Sequence, residues 1–171
     1  MTDDSIHFIL TGGTIDSFYD GTKDTVVPNK HSIIPQLINS LKLYNKSLFT
    51  EVCMKDSRGL DQNDRNELLK AIEESPNQKI IITHGTYTMP DTARFLKANL
   101  KRNDQVIILT GSLIPIKGFS PSDGTLNLGY AIAQLENLKP GVYVCMNCKV
   151  FNPEEVLKII SEGRFASIFN K

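Results

Sequence analysis

The sequence predicts an α/β fold in which a mainly parallel sheet lies between two layers of helices. Short runs such as residues 6–10 and 79–83 are apolar without alternation, which is typical of strands buried on both faces. Between these runs, apolar residues recur at helical spacing. Alternation of strands and helices along one chain is the pattern of α/β proteins, whose crossovers are right-handed.

Five strands and five helices are expected to alternate. The strands are the apolar runs at residues 6–10, 47–54, 79–83, 105–109 and 141–146. The helices are the periodic segments at residues 31–43, 61–74, 90–100 and 123–138, and a fifth that begins at residue 152. The polar segment 12–30 and the Pro- and Gly-rich segment 113–122 are expected to be long loops. Together these elements predict a three-layer sandwich of the flavodoxin-like or Rossmann-like type.

Local signals support the predicted helix starts. Asp61 or Asn63 can cap the second helix, and Asp123 can cap the fourth. Pro90 suits the first turn of the third helix, where a missing N–H costs nothing. Residues 152–155 read Asn-Pro-Glu-Glu, with a cap, a first-turn proline and two acids that favour a fifth helix.

Length and composition fit one domain over residues 1–171 and exclude several classes of function. The hydrophobic fraction of 40% and the charged fraction of 22% are ordinary for a globular protein. Lys+Arg and Asp+Glu both number 19, so no net field favours nucleic acid or an acidic membrane surface. The first residues are acidic, and no apolar run approaches the roughly 18 residues of a membrane span. A cytoplasmic location is therefore expected.

The three cysteines do not predict a disulfide framework, because their number is odd. Cys145 and Cys148 have the spacing of a redox or metal pair, but they follow a predicted strand with no second pair or histidine nearby. Redox pairs of this kind usually lie at a helix N-terminus, which lowers the thiol pKa. We therefore expect a structural role, and no metal site or cofactor is predicted.

Three predicted strands end in loops of one type, with glycine beside hydroxyl residues. They are Thr11-Gly12-Gly13-Thr14, Thr83-His84-Gly85-Thr86 and Thr110-Gly111-Ser112. The carboxyl ends of parallel strands meet at one edge of a sheet, where open α/β sheets bind ligands. The loops therefore predict one pocket of bare amides and hydroxyls, although glycines in such loops can also serve only to make tight turns.

Phosphate binding and serine hydrolysis do not fit these loops. The chain has no G-x-G-x-x-G, no Gly-Lys-Ser/Thr and no G-x-S-x-G motif. If a threonine is the nucleophile, its hydroxyl needs a base or a charged neighbour. Tyr19, five residues after Thr14, is a candidate base, and so is a lysine whose pKa is lowered by burial.

The loop sequences resemble those of the bacterial-type L-asparaginase family. The motifs are Thr11-Gly12-Gly13-Thr14-Ile15, then Ile82-Thr83-His84-Gly85-Thr86 with Asp91-Thr92-Ala93 after it, and Ser122-Asp123-Gly124 with Asn127-Leu128. Their order and spacing make the resemblance specific, but it covers only the larger, N-terminal half of the usual family member. Residues 1–171 show no resemblance to the C-terminal family domain, so a short-form asparaginase or an isolated N-terminal domain is expected. The resemblance implies hydrolysis of L-asparagine to L-aspartate and ammonia through a threonine acyl-enzyme, without metal or cofactor.

The resemblance also implies catalytic roles. Thr14 matches the threonine that attacks the amide carbon, and Thr86 matches a second threonine that works with a lysine, placed here at Lys158. The backbone amides of Gly13 and Thr86 are expected to form the oxyanion hole. Tyr19 stands in for a family tyrosine that lies further from the first threonine.

The binding roles implied by the resemblance fall on other loop residues. Ser57 and the Gly85 backbone are expected to hold the substrate α-carboxylate. The carbonyl of Ser112 is expected to accept a hydrogen bond from the leaving amide. His84 lies in the motif but is expected to be a packed histidine, not a base.

The chain departs from the family pattern where the substrate ammonium binds. Tyr87 stands where the family has an aspartate, and the acid that a neighbouring subunit's C-terminal domain lends has no counterpart. Asp16, Asp61 or another local acid is expected to supply part of this charge, with weak binding.

Two alternatives remain open at this point. One is an amidase that prefers glutamine or another small amide, and the other is a catalytically weak module that senses asparagine or aspartate. Because family members use neighbouring subunits, a homodimer is expected. The apolar segment 165–169 is expected to pack on the core or to be buried in that dimer.

Overall fold

Ten strands and four helices form the fold in the computed structural model, which describes residues 4–169. The strands are β1 Ile6–Gly12, β2 Ser17–Asp20, β3 Thr25–Pro28, β4 Ser47–Lys55, β5 Lys79–Thr83, β6 Val106–Thr110, β7 Gly141–Met146, β8 Lys149–Phe151, β9 Val156–Ile159 and β10 Arg164–Ser167. The helices are α1 Ile34–Ser40, α2 Gln62–Glu73, α3 Met89–Asn99 and α4 Gly124–Gln134.

Six strands make the central sheet, in the order β4-β1-β5-β6-β7-β8. The first five are mutually parallel, and β8 is antiparallel to β7. In chain order the parallel strands are arranged 2-1-3-4-5, which is the flavodoxin-like doubly wound order. The predicted fold class is therefore confirmed.

The alternation of side chains along β5 explains the three layers. Ile80 and Ile82 belong to a buried cluster that also contains apolar residues of α2 and α3. Ile81, between them, belongs to a second cluster with apolar residues of α1 and α4. Because successive side chains of a strand point to opposite faces, each face of the sheet carries its own pair of helices.

The start of α2 bears out one of the predicted caps. The Asp61 side chain accepts a hydrogen bond from the backbone N–H of Asp64, and the Asp64 side chain accepts one from the N–H of Asp61. This reciprocal capping box satisfies two backbone donors at the helix N-terminus. Asp61 is therefore engaged in holding the helix.

The predicted fifth helix is wrong. After one turn at residues 152–156, the chain enters an antiparallel hairpin of β9 and β10, which turns at Gly163 with a φ of 58°. Val156 and Phe165, one on each strand, are buried in the core cluster beside α3. Burial of these side chains from an extended backbone overrides the helix signals of residues 152–155.

The predicted loop 12–30 is wrong in part, whereas residues 113–122 contain no helix or strand, as expected. A 3-10 turn at residues 14–16 leads into the β2–β3 hairpin. The segment 165–169 divides, because Phe165 is buried in the core while Phe169 is 74% exposed. Among residues 4–169, no helix is long and apolar enough to cross a membrane.

Cys145 and Cys148 do not act as a matched pair in the fold. Cys145 is fully buried at the end of β7, and burial raises the pKa of its thiol to about 12. Cys148 is exposed in the turn before β8. The buried thiol belongs to the apolar core, as the structural interpretation predicts.

Candidate active site

The loops after β1 and β5 line a cavity of about 220 Å³. These strands are neighbours in the sheet, but the chain leaves β1 towards β4 and leaves β5 towards β6. At such a change of direction the two loops separate and leave a crevice at the carboxyl ends of the strands. The residues that line the cavity are Thr14, Asp56, Ser57, Arg58, Gly85, Thr86, Tyr87 and Lys158.

Two glycines let the walls of this cavity approach one another. A Cβ atom on Gly13, whose φ is 79°, would lie 2.3 Å from the backbone nitrogen of Gly85. A Cβ atom on Gly85 would lie 2.6 Å from the Cβ of Ser57. Because such distances are impossible for real side chains, only glycine permits this packing. The loops that follow β1, β4 and β5 are thus in close contact through Gly13, Ser57 and Gly85.

A lysine and a threonine are hydrogen-bonded to each other in the cavity. The Nζ of Lys158, on β9, donates to the Oγ1 of Thr86 at 2.7 Å. Thr86 is only 5% exposed, and Lys158 is half-buried. Desolvation lowers the pKa of Lys158, and the positive charge of Arg58 lowers it further. The lysine is therefore poised to lose its proton more easily than a solvated lysine does.

Thr14 reaches the same cavity at the start of the 3-10 turn. Within residues 4–169, its Oγ1 has no hydrogen-bond partner, and the backbone N–H groups of Thr14 and Thr86 donate to no other residue. Gly13 differs from the expectation, because its N–H donates to the carbonyl of Lys55 at 2.9 Å. The amide of Gly13 is therefore already used in joining β1 to β4.

Ser57 also lines the cavity, where it begins a short 3-10 turn after β4. Its Oγ accepts a hydrogen bond from the N–H of Thr88 at 3.3 Å, and its carbonyl accepts one from the Thr88 hydroxyl at 3.0 Å. The residue is buried. The two bonds fix its orientation and leave the hydroxyl proton available for a ligand.

Tyr19 does not line the cavity, contrary to its predicted catalytic role. It lies on β2, is 51% exposed, and donates its hydroxyl proton to Asp24 across the hairpin turn. This hydrogen bond raises the pKa of Tyr19. A phenol that donates to a carboxylate is a poor base, so the structure gives Tyr19 no catalytic contact.

Asp16 and Ser112 are buried outside the set of cavity-lining residues. Asp16 accepts hydrogen bonds from the N–H of Ile33 at 2.8 Å and from the Asn29 amide at 3.3 Å, and burial raises its pKa. The hydroxyl of Ser112 donates to the carbonyl of Ile114 at 2.7 Å. Asp16 and the Ser112 hydroxyl hold loops in place, so Asp16 makes no contact with the cavity, whereas the role of the Ser112 carbonyl stays a prediction.

His84 is packed next to Gly85 of the cavity, as expected, but its buried Nε2 has no hydrogen-bond partner within residues 4–169. Its side chain is fully buried, and its Nδ1 donates to the carbonyl of Gly85 at 2.7 Å. Desolvation lowers its pKa to about 4, so the ring is neutral at pH 7. The histidine therefore supports the loop that carries Thr86.

Sequence reasoning missed an acid and an arginine at the site. The backbone N–H and Nε of Arg58 both donate to one carboxylate oxygen of Asp56 at 2.9 Å, and Nη2 donates to the other at 3.2 Å. The guanidinium carbon also lies 5.8 Å from the centroid of the Tyr87 ring. Their position on either side of Ser57 was the one signal that could have identified them.

Three larger cavities lie away from this chemistry, and the smallest of them, of about 260 Å³, lies beside the end of α1. One of about 430 Å³ lies between β4 and α2, where both ring nitrogens of His7 are already bonded, to Ser75 and to Thr50, at 2.8 Å each. Another, of about 570 Å³, lies on the β9–β10 hairpin and is mostly apolar, with the Ser167 hydroxyl bonded to Glu155. None of the three combines a hydroxyl with a half-buried amine.

A family model described as "Asparaginase, N-terminal" matches residues 5–168. The chain belongs to the asparaginase family. Its match is to the N-terminal part of that family, as the loop motifs predict. The site described above therefore lies in the region that the family model covers.

Relatives and solved structures agree with this assignment. The chain is 30% identical over 166 residues to L-asparaginase 2 of Escherichia coli, covering 90% of this chain and 46% of that protein. It is 41% identical over 85 residues to a glutaminase-asparaginase of Acinetobacter glutaminasificans, 48% of this chain and 25% of the relative. The thermostable L-asparaginase of Thermococcus kodakarensis superposes with a TM-score of 0.83 at 29% identity.

That superposition covers 96% of this chain and 51% of the thermococcal one. A probable cytoplasmic L-asparaginase of Campylobacter jejuni gives a TM-score of 0.79 at 26% identity, over 95% of this chain and 52% of the other. The asparaginase-family chain thus spans between about a quarter and about half of the length of these proteins.

Proposed function

We propose that the chain hydrolyses the side-chain amide of L-asparagine through an acyl-enzyme formed on Thr14. The observation that carries the proposal is the 2.7 Å contact between Lys158 and Thr86 in the cavity that Thr14 also lines. The relatives named asparaginase support the reaction class. The lysine and its threonine supply what a threonine nucleophile requires, which is a base that lines the same cavity.

In the first displacement, the Oγ1 of Thr14 bonds to the amide carbon. The neutral amine of Lys158 takes up the hydroxyl proton through Thr86, and the ammonium so formed protonates the leaving nitrogen as the C–N bond breaks. In the second displacement, water attacks the ester carbon and loses a proton to the same pair. The bond from that carbon to Thr14 breaks, which yields aspartate and restores the threonine hydroxyl.

The oxyanion formed in each step needs donors that are free in the folded protein. The backbone N–H groups of Thr14 and Thr86 fit this role, because neither donates to another residue within 4–169. Preorganised donors of this kind each contribute about 3 kcal/mol in the transition state. This replaces the earlier expectation for Gly13, whose N–H is engaged with Lys55.

The test is ammonia release from L-asparagine by the purified chain and by its Thr14→Ala variant. Loss of the nucleophile is expected to lower kcat by about 10³-fold or more, since nucleophilic attack has no substitute. Thr25→Ala, an exposed threonine of β3, is the matched control and is expected to retain the rate. Full activity of Thr14→Ala would remove Thr14 from the mechanism.

A second candidate is a module that binds asparagine or aspartate without turnover. It is favoured by one observation: among the described cavity-lining residues, the only carboxylate, Asp56, is already bonded to Arg58. Calorimetry separates the candidates, because binding of asparagine without ammonia release would support the module. Preference for glutamine is distinguished in the same assay by comparing the two amides.

The homodimer and the cytoplasmic location stay predictions. Ile160, Ile168 and Phe169 expose apolar surface on and beside the β9–β10 hairpin, which supports self-association. Light scattering of the purified chain tests the dimer, and cell fractionation tests the location.

A further inference from the structure

We propose that the cavity prefers ω-monoamides of dicarboxylic acids that carry no ammonium group, with succinamate as the four-carbon example. Arg58 and Tyr87 are the residues that set this preference. The inference rests on the proposed amide hydrolysis and narrows its substrate class. Asparagine and succinamate differ only by the α-ammonium, so the claim concerns that one group.

The charged residues of the cavity favour an anionic ligand over a cationic one. Among the described residues that line it, Arg58 and Lys158 are basic and Asp56 is the only acid. The formal charge of this set is therefore +1 when the lysine is protonated. With the lysine protonated, an α-ammonium entering the cavity meets net like charge, and with the neutral amine that the proposed reaction requires it meets no net opposite charge, whereas Arg58 attracts a carboxylate in both states.

The single acid of this lining, Asp56, is already bound by Arg58. Both of its oxygens accept hydrogen bonds from Arg58, from Nε and the backbone N–H on one oxygen and from Nη2 on the other. These bonds hold the pKa of Asp56 below its usual range. An ammonium would have to displace a two-point guanidinium contact in order to pair with this acid.

Arg58 retains donors for a ligand. Within the described part of the chain, its Nη1 makes no hydrogen bond. The remaining Nη1–Nη2 edge can bind a carboxylate in two-point geometry while the other edge stays on Asp56. The guanidinium is thus oriented by the protein before any substrate binds.

Tyr87 contributes an uncharged wall next to Thr86. Its ring lies under the Arg58 guanidinium at 5.8 Å, and the side chain is 56% exposed. A cation over an aromatic face is attracted to it, which helps to keep Arg58 over the cavity. The position beside the Thr86–Lys158 pair therefore offers an ammonium no counter-charge.

The adjoining cavity offers no free acid either. It has a volume of about 200 Å³ and shares Tyr87 and Lys158 with the first. Its acid, Asp91, is paired with Arg94 at 3.0 Å. A longer amino-acid amide that extends into this space again meets an acid already held by an arginine.

The test compares kcat/KM for succinamate and L-asparagine at one pH. The wild-type chain is expected to favour succinamate by about tenfold or more. Tyr87→Asp is expected to shift the ratio towards asparagine by at least tenfold, whereas Tyr87→Asn, which matches it in size without the charge, is not. Arg58→Gln is expected to raise KM for succinamate, and Arg164→Gln, which breaks a similar pair with Glu162 outside the cavity, leaves it unchanged.

Calorimetry with the products, succinate and L-aspartate, keeps the claim testable whatever the turnover. Tighter binding of succinate supports the proposal even if no amide is hydrolysed, an outcome that would defeat only the hydrolysis. Equal or tighter binding of aspartate, or a wild-type kcat/KM for asparagine that matches or exceeds that for succinamate, overturns the preference and leaves the hydrolysis standing.

Discussion

The two threonines that line the cavity differ in how far the folded protein orients them before a substrate binds. Thr86, after β5, is buried and bonded to Lys158, and its loop rests on the packed His84. Thr14, after β1, is half-buried, and its hydroxyl has no partner within residues 4–169. The difference supports the proposal that proton transfer involves Thr86 and Lys158 and that Thr14 relies on this pair.

The largest effect is expected when the amine of Lys158, which is bonded to Thr86, is removed. Lys158→Met keeps the length of the side chain but removes the amine, so kcat should fall by about 10³-fold. Tyr19→Phe is the control on the Thr14 side, and its kcat should stay within about twofold because the Tyr19 hydroxyl bonds Asp24 instead of lining the cavity. Steady-state ammonia release measures both; a large loss in Tyr19→Phe would return the tyrosine to the mechanism.

The next effect concerns the contact that brings the two loops together. Gly13→Ala places a methyl group against the backbone of Gly85 at a φ of 79°, so we expect a loss of about 2–4 kcal/mol in the free energy of unfolding. Gly59→Ala is the matched control, because nothing lies within 4 Å of its Cβ position. Urea denaturation compares them, and equal stability of both variants would contradict the close approach of the loops.

Much of this architecture could be predicted, because many segments carry a single local signal that no tertiary contact overrides. Residues 80–82 are apolar without interruption, so they predicted a strand buried on both faces, and the capping pattern of Asp61 predicted the start of α2. The hairpin after residue 152 could not be predicted, because the helix signals are local whereas burial of Val156 and Phe165 is tertiary.

Part of the candidate site could likewise be predicted from the sequence, and part could not. Thr14, Thr86 and Lys158 follow strands or family motifs, and all three line the cavity. Gly13 was misassigned because a backbone N–H gives no sign in sequence of the carbonyl it will meet. The Asp56–Arg58 pair was missed because its place in the cavity depends on the tertiary contact between Arg58 and Tyr87, which are far apart in the sequence.

A smaller effect should appear in the pH dependence of kcat. The proposed reaction requires the neutral amine of Lys158, so kcat should rise with pH and level off above the pKa of that amine. Arg58 lowers this pKa by its positive charge, after the larger contribution of desolvation. Arg58→Gln should therefore move the rise to higher pH. A profile that moves to lower pH, or does not move, would contradict the coupling of these two cations.

The smallest effect is expected for the two acids that were predicted to bind the substrate ammonium. Asp16 holds the backbone of Ile33, and Asp61 caps α2, so neither carboxylate lines the cavity. The double variant Asp16→Asn, Asp61→Asn should keep KM for asparagine within about twofold. Initial-rate measurements check this, and a KM several-fold higher would restore these acids to substrate binding.

The position of the acyl group is the most direct test of the roles proposed for the two threonines, with Thr14 as the nucleophile and Thr86 in proton transfer. Wild-type chain saturated with an amide substrate can be quenched in acid and its peptides sequenced by tandem mass spectrometry. We expect the ester on Thr14, with Thr86 unmodified. An ester on Thr86 alone would make the lysine-bonded threonine the nucleophile and would contradict the role proposed for Thr14.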